Sequence, residues 1–138
     1  MTEFLASDSW ILLSIILISG NNGARLKDLI PAADGINHAI PTFEEIEGAL
    51  ARLTTEGFIS QEGDAIFVTE KTKLAFDDRS RESIRTKWKK MDRVLKAKPW
   101  DKGSSPRDAN RGVSYDGINR AEYERAVSLY LKKARHSK

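Results

Sequence analysis

The sequence predicts a mainly α-helical protein with one small β-hairpin. Apolar residues recur at helical spacing in several segments, most clearly within residues 43–53. After Gly57 the period changes from 3.6 to two, in two short runs of β-branched and aromatic residues that flank Gly63. A glycine-containing connection between two such runs is typical of a β-hairpin.

The first predicted element is a helix over residues 9–19. It is nearly all apolar and ends at the Gly20–Gly23 turn. Ser7, Asp8 and Ser9 are its candidate N-cap residues. Because this helix is apolar on almost every side, the domain core or a partner chain must cover it.

A short edge strand at residues 24–26 and a helix over residues 27–35 are expected next. Pro31 is tolerated only near a helix start, and Asp34-Gly35 closes this predicted helix. The two elements connect the apolar first helix to the strongest helix signal in the chain.

That signal covers residues 42–56. Thr42 and Glu45 match a capping box, in which each side chain bonds a free backbone N–H of the first turn. Gly57 fits the left-handed position that commonly follows a helix. The hairpin follows, with strands at 58–60 and 65–69, and the order of elements is that of a winged helix-turn-helix.

Three stretches resemble winged-helix regulators of the MarR and PadR type. Leu50–Ile59 is similar to the end of their recognition helix and first wing strand, Ile66–Lys71 to the second wing strand, and Leu26–Leu29 to the first helix of the turn motif. The resemblance covers about half of the chain and implies a DNA-binding transcriptional regulator. Thr72 stands where the family commonly has Gly, and the Gly-Tyr pair of PadR proteins is missing.

The two halves of the chain carry opposite charge. Residues 1–70 contain three basic and eleven acidic residues, a net charge of −8, whereas residues 71–138 contain twenty basic and nine acidic residues, a net charge of +11. Such asymmetry indicates either a polyanion-binding region or self-complementary association. The organisation predicted is a winged-helix domain at 1–76 and a C-terminal helical region at 77–138.

The C-terminal region is predicted to contain a long helix over 72–97, a loop over 98–117 and a final helix over 118–135. The loop assignment follows from its Pro and Gly breakers. The basic residues of segment 79–98 have two interpretations, a phosphate-contacting surface or a solvated helix face. A third is that the basic helices pack on the acidic domain, in the same chain or in a dimer mate.

The DNA-binding interpretation places helix 42–56 in the major groove of double-stranded DNA. Basic side chains around it and in the C-terminal region would then hold phosphates. The candidate DNA-binding residues are Arg25, Lys27, Thr42, Arg52, Arg79, Arg81, Arg85 and Lys89.

The same helix 42–56 also motivates an alternative, because its first turn carries Glu44, Glu45 and Glu47. The expected hairpin tip adds Glu62 and Asp64. An acidic face opposes the approach of DNA phosphates. The alternative is a protein–protein interaction module on a winged-helix scaffold that has lost DNA reading.

A homodimer is a separate prediction. It rests on the apolar first helix and on a narrow apolar seam along the long C-terminal helix, which one small domain would not fully cover. The candidate interface residues are Trp10, Ile84, Trp88, Met91 and Leu95.

The sequence contains no motif for catalysis, cofactor binding or metal binding. There is no cysteine, and His38 and His136 lie far apart in the sequence. The longest apolar run, within residues 10–18, is shorter than the roughly 20 residues of a membrane span. A non-enzymatic protein of the cytoplasm, with no cofactor, metal or membrane partner, is expected.

Overall fold

Seven helices and one two-stranded sheet form the parts of the chain described by the computed structural model, residues 2–76, 81–98 and 105–136. The elements are α1 (Ala6–Ser19), α2 (Leu26–Asn37), α3 (Phe43–Thr55), β1 (Ile59–Glu62), β2 (Ala65–Val68), α4 (Glu70–Ala75), α5 (Ile84–Leu95), α6 (Pro106–Ala109) and α7 (Arg120–His136). The predicted mainly α class with a small hairpin is confirmed.

Helix α1 lies at the centre of the molecule and packs against α2, α3, α5 and β2. Its residues Ile11, Leu12 and Ile15 have no exposed surface, as expected for a helix that is apolar on nearly every side. Met91 of α5 and Ala126 of α7 belong to the same core. Residues from both predicted regions, 1–76 and 77–138, therefore contribute to one hydrophobic cluster.

The start of α1 differs from the prediction. Ser7, Asp8 and Ser9 lie inside the helix, and Leu5 is the N-cap residue. The Asp8 carboxylate accepts a hydrogen bond from the Leu5 backbone N–H at 2.9 Å. The Asp8 side chain, inside the first turn, thus provides an acceptor for a backbone N–H at the helix start. The helix begins three residues earlier than expected.

Helix α2 is longer than predicted. Pro31 is its sixth residue, although the sequence interpretation allowed proline only near the start, and Asp34-Gly35 does not close it. The helix continues to Asn37 and ends at His38, whose φ of 54° is left-handed. The N–H of His38 donates to the carbonyl of Asp34, which closes the last turn.

Strands β1 and β2 pair antiparallel, with Ile59 opposite Val68 and Glu62 opposite Ala65. Gly57 and Gly63 both have positive φ, as the turns before and within a hairpin require. The expected edge strand at 24–26 is reduced to one bridge between Ala24 and Ile66, with backbone hydrogen bonds of 2.7 and 2.8 Å.

The predicted continuous helix over 72–97 is wrong. Helix α4 ends at Ala75 and α5 begins at Ile84, after the N-cap residue Ser83. The expected loop 98–117 contains the short helix α6, and part of that loop lies outside the described residues. Lys98 forms a parallel bridge with Leu5, so the end of α5 is held beside the start of α1.

Candidate nucleic-acid interface

Helix α3 corresponds to the helix predicted to enter the DNA groove. Thr42 caps it: its Oγ1 accepts from the N–H of Glu45 at 3.1 Å, and Glu45 Oε1 accepts from the N–H of Thr42 at 2.9 Å. The capping box is confirmed, and the Thr42 side chain is engaged in it. Glu45, expected on the exposed face, is buried, and burial raises its pKa.

Arg52 of α3 is locked inside the protein. Its Nε and Nη2 atoms donate to the two carboxylate oxygens of Asp8 at 2.6 and 2.8 Å, and Nη2 also donates to Asn110 Oδ1 at 2.7 Å. The Asp8 side chain has no exposed surface and that of Arg52 is 12% exposed. Arg52, the one basic residue of α3, therefore joins α1, α3 and the C-cap residue of α6, and its guanidinium is not presented to solvent.

We call residues 105–136 the C-terminal arm. Its helix α6 and the start of α7 lie over the outer side of α3, and α7 packs mainly against α2. Helix α6 packs against α3, and a Cβ atom added at Gly48 would lie 1.9 Å from Asn110 Oδ1. From Phe43 to Leu53 no residue of α3 is exposed, and Thr54 is the first that is. The helix expected to read DNA is thus covered by polypeptide of the same chain.

The arm also covers the start of α3. Arg120 donates to Glu44 Oε1 at 2.8 Å and lies over the ring of Phe43, 4.7 Å from its centroid. The hydroxyl of Tyr123 donates to the carbonyl of Pro41 at 2.6 Å. The Arg120 guanidinium holds the pKa of the Glu44 carboxyl below its usual range.

The hairpin contacts the arm through Gln61. Gln61 Nε2 donates to the carbonyl of Gly117 at 2.8 Å, and the hydroxyl of Tyr115 donates to Gln61 Oε1. A Cβ atom at Gly117 would lie 2.1 Å from Gln61 Oε1, so a larger residue there would have to displace the Gln61 side chain. At the hairpin turn, Glu62 and Asp64 are exposed, as expected.

Two predicted phosphate contacts lie at the start of α2. Arg25 forms an ion pair of 3.4 Å with Asp64, and the two side chains are 40% and 77% exposed. Lys27 is exposed. These two residues and Arg125 of α7 line one open cleft between α2, the hairpin and α7. Arg25 therefore already has an anionic partner, and Lys27 is accessible to solvent.

Helix α5 presents its basic residues differently. Ser83 caps it, with Oγ accepting from the N–H of Thr86 at 3.2 Å. Arg85, Lys89 and Arg93 follow at four-residue spacing, which places them on one side of a helix. We call these three residues the basic stripe. All three are exposed, and none pairs with a carboxylate among the residues that the structure describes.

The other basic residues of α5 lie off this stripe. Lys87 is buried, and Lys90 forms an ion pair with Glu82. Arg81, ahead of α5, is exposed, and Arg79 lies outside the described residues. Three of the cations of segment 79–98 therefore lie together on the side of α5 that faces solvent, away from its apolar seam.

The predicted dimer-interface residues pack within one chain. The rings of Trp10 and Trp88 stack with centroids 6.3 Å apart, and Trp10 Nε1 donates to the carbonyl of Ala33 at 2.8 Å. Met91 and Leu95 are buried, whereas Ile84 is 37% exposed. The apolar seam of α5 is thus covered by α1, and four of the five residues are not available as a free apolar surface.

Sequence reasoning missed the arm residues Asn110, Tyr115, Arg120 and Tyr123. Each is polar and contacts a residue more than fifty positions away, so no local pattern marks it. One signal was present in the sequence: Gly48 interrupts an otherwise strong helix, and a conspicuous glycine in a helix interior indicates close packing.

Comparison of this chain with protein-family models, with curated proteins and with solved structures gives no match. Among the described residues there is no cluster of three or more His, Asp or Glu side chains suited to a metal ion. No helix in that part of the chain combines the length and apolar character needed to cross a membrane.

Proposed function

We propose that this protein is a winged helix-turn-helix protein of the cytoplasm that binds double-stranded DNA through phosphate contacts of α5. The order of α1 to β2, the capped third helix and the left-handed Gly57 support the winged-helix assignment. The observation that carries the DNA-binding proposal is the basic stripe of Arg85, Lys89 and Arg93, which is exposed and has no acidic partner among the described residues. The regulatory role implied by the family resemblance is part of this proposal.

The stripe matches the geometry of a phosphate backbone. The eight residue steps from Arg85 to Arg93 cover about 12 Å of helix, at 1.5 Å per residue. Phosphates of one DNA strand repeat about every 3.4 Å along the axis, so the stripe spans about three of them. Among the residues that the structure describes, no exposed aromatic side chain lies on this side of α5, which favours backbone contacts over base stacking.

The test is a fluorescence titration of the whole chain against a mixed-sequence duplex between 50 and 200 mM salt. The Arg85→Gln/Lys89→Gln variant is compared with the matched Lys132→Gln/Lys133→Gln variant, which removes the same charge from exposed positions of α7. Loss of two phosphate contacts should reduce the salt slope by about 2. The control should keep the slope of the unmodified chain.

Absence of binding at micromolar protein would overturn the proposal. So would affinity that is indifferent to salt, or equal losses in the two variants. A homodimer also remains a prediction, which light scattering at high micromolar concentration checks.

A second function, that of a protein-interaction module with DNA reading lost, is favoured by one observation. Glu44 and Glu47 make the start of α3 acidic, and Arg120 of the arm already contacts Glu44. An acidic face that already contacts a cationic segment is suited to binding protein, because its negative side chains attract basic residues and repel DNA phosphates. DNA binding without any detectable protein contact at α3 would remove this alternative.

A further inference from the structure

We propose that the C-terminal arm is an intramolecular blocking segment, which occupies a protein-docking surface on α3 and the hairpin and excludes other cationic segments from it. This inference does not depend on DNA binding by α5. It concerns the outer side of α3, which is acidic and covered by the arm, whereas the basic stripe of α5 is exposed.

The first support is the fit at Gly48. Glycine weakens a helix interior, so its presence requires a reason. A Cβ atom there would meet Asn110 Oδ1 at 1.9 Å and Asn110 Cγ at 2.7 Å. Gly35 of α2 has nothing within 4 Å of such an atom. The glycine of α3, unlike that of α2, therefore makes room for a side chain of the arm.

The second support is the number of directional contacts along the arm. Asn110 accepts a hydrogen bond from Arg52. Gln61 accepts from the hydroxyl of Tyr115 and donates to the carbonyl of Gly117, and Tyr123 donates to the carbonyl of Pro41. These contacts involve α6, the segment before α7, and α7 itself. Because each bond has its own direction and partner, together they fix one register of the arm on the surface.

The third support is charge. The start of α3 carries Glu44 and Glu47, and Arg120 supplies the cation, with Tyr123 packed beside Phe43 at a ring distance of 5.8 Å. A cation and an aromatic ring three residues apart lie on one side of a helix. The surface thus fits a cationic helix with an aromatic anchor, and the arm provides one.

The test uses a synthetic peptide of residues 105–136, labelled at its N-terminus, as the probe. It is titrated into the unmodified full chain and into the full-chain Arg120→Glu/Tyr123→Ala variant. That variant weakens its own arm but leaves α3 and the hairpin unchanged. We expect the variant to bind the peptide at least tenfold more tightly than the unmodified chain does. A peptide carrying the same two substitutions serves as the matched control and should bind neither.

A second full-chain variant, Asn110→Ala, weakens the arm at a different point and replaces the first if that one does not unfold cooperatively. Arg85→Gln/Lys89→Gln in the arm-weakened chain should leave peptide affinity unchanged, which separates this result from DNA binding. Equal peptide affinity for unmodified and arm-weakened chains would overturn the proposal. Absence of binding by both weakened variants would overturn it too.

Discussion

Helices α3 and α5 share the same kind of cap and a buried apolar seam, but they differ in what covers their outer sides. Each begins at a hydroxyl side chain that caps the first turn, Thr42 in one and Ser83 in the other, and each buries an apolar seam. The outer side of α3 is acidic and lies under the arm, whereas the outer side of α5 is basic and exposed. Periodicity decides which side of a helix faces the core, but it does not decide whether the opposite side meets solvent.

The same contrast holds for single arginines. Arg52 of α3 makes three hydrogen bonds, two of them to a fully buried carboxylate. Arg85 of α5 is exposed and pairs with no carboxylate in the described part of the chain. One residue type thus holds the fold together in the first helix and is available to a polyanion in the second.

The largest expected effect is that of Arg52→Ala. It leaves the buried Asp8 carboxylate without its cation, and breaking a buried pair in this way costs about 3–5 kcal/mol of unfolding free energy. Urea unfolding measures it. The matched control is Arg25→Ala, which removes an arginine from an exposed pair and should cost no more than about 1 kcal/mol. Similar losses for the two variants would show that Arg52 is not the structural arginine.

The next largest effects are expected for alanine substitutions at two helical glycines, which should change the stability in opposite directions. Gly48→Ala forces a contact with Asn110 and should destabilise the protein by about 1–3 kcal/mol. Gly35→Ala meets open space and should stabilise it by up to about 1 kcal/mol, because alanine favours the helix. Thermal unfolding of both variants decides the point, and stabilisation by both would mean that the arm does not seat at Gly48.

A smaller effect is expected from pH at the Glu44–Arg120 contact. The folded pKa of Glu44 is lowered from its ordinary value of 4.5, so its contribution to stability is present above that value and lost as pH falls through the folded pKa. The unmodified chain should be more stable than Glu44→Gln at pH 6, and the two should converge at pH 3. The raised pKa of Glu45 acts in the opposite direction in both chains, and part of that rise comes from the Glu44 charge, which Glu44→Gln removes.

The smallest effect is expected on the stripe. Lys89→Ala should change the unfolding free energy by no more than about 0.5 kcal/mol, since the side chain is exposed and unpaired within the described residues. Under the DNA-binding proposal, its effect should appear in DNA affinity alone. A loss of stability comparable with that of Arg52→Ala would erase the distinction between the two helices.

Local signals in the sequence were enough for most elements. Thr42, Glu45 and Gly57 marked the ends of α3, and the change of period marked the hairpin, because caps and turns depend on near neighbours. The break between α4 and α5 was missed although Ser83 was a usable N-cap signal. Pro31 shows why helix propensity alone is not enough: α2 continues past this proline, and its residues Leu29, Ile30 and Ala33 are packed in the core.

The covering of α3 could not be predicted. The contacts of Arg52 with Asp8 and Asn110 are 44 and 58 positions away along the chain, and that between Tyr123 and Pro41 is 82 away. Charge asymmetry suggested that the basic region meets the acidic one, in one chain or two, but it does not specify which residues pair. Which residues meet depends on the path of the backbone, which periodicity does not encode.

The bridge between Leu5 and Lys98 has a consequence for competition at the α3 face. Lys98 is held by hydrogen bonds of 2.8 and 3.1 Å to the backbone beside α1, and only six residues separate it from Ser105, where the arm begins. A short tether from a fixed point gives the arm an effective concentration on the order of millimolar. A free rival at micromolar concentration must therefore bind about a thousandfold more tightly than the arm, or arrive with a tether of its own.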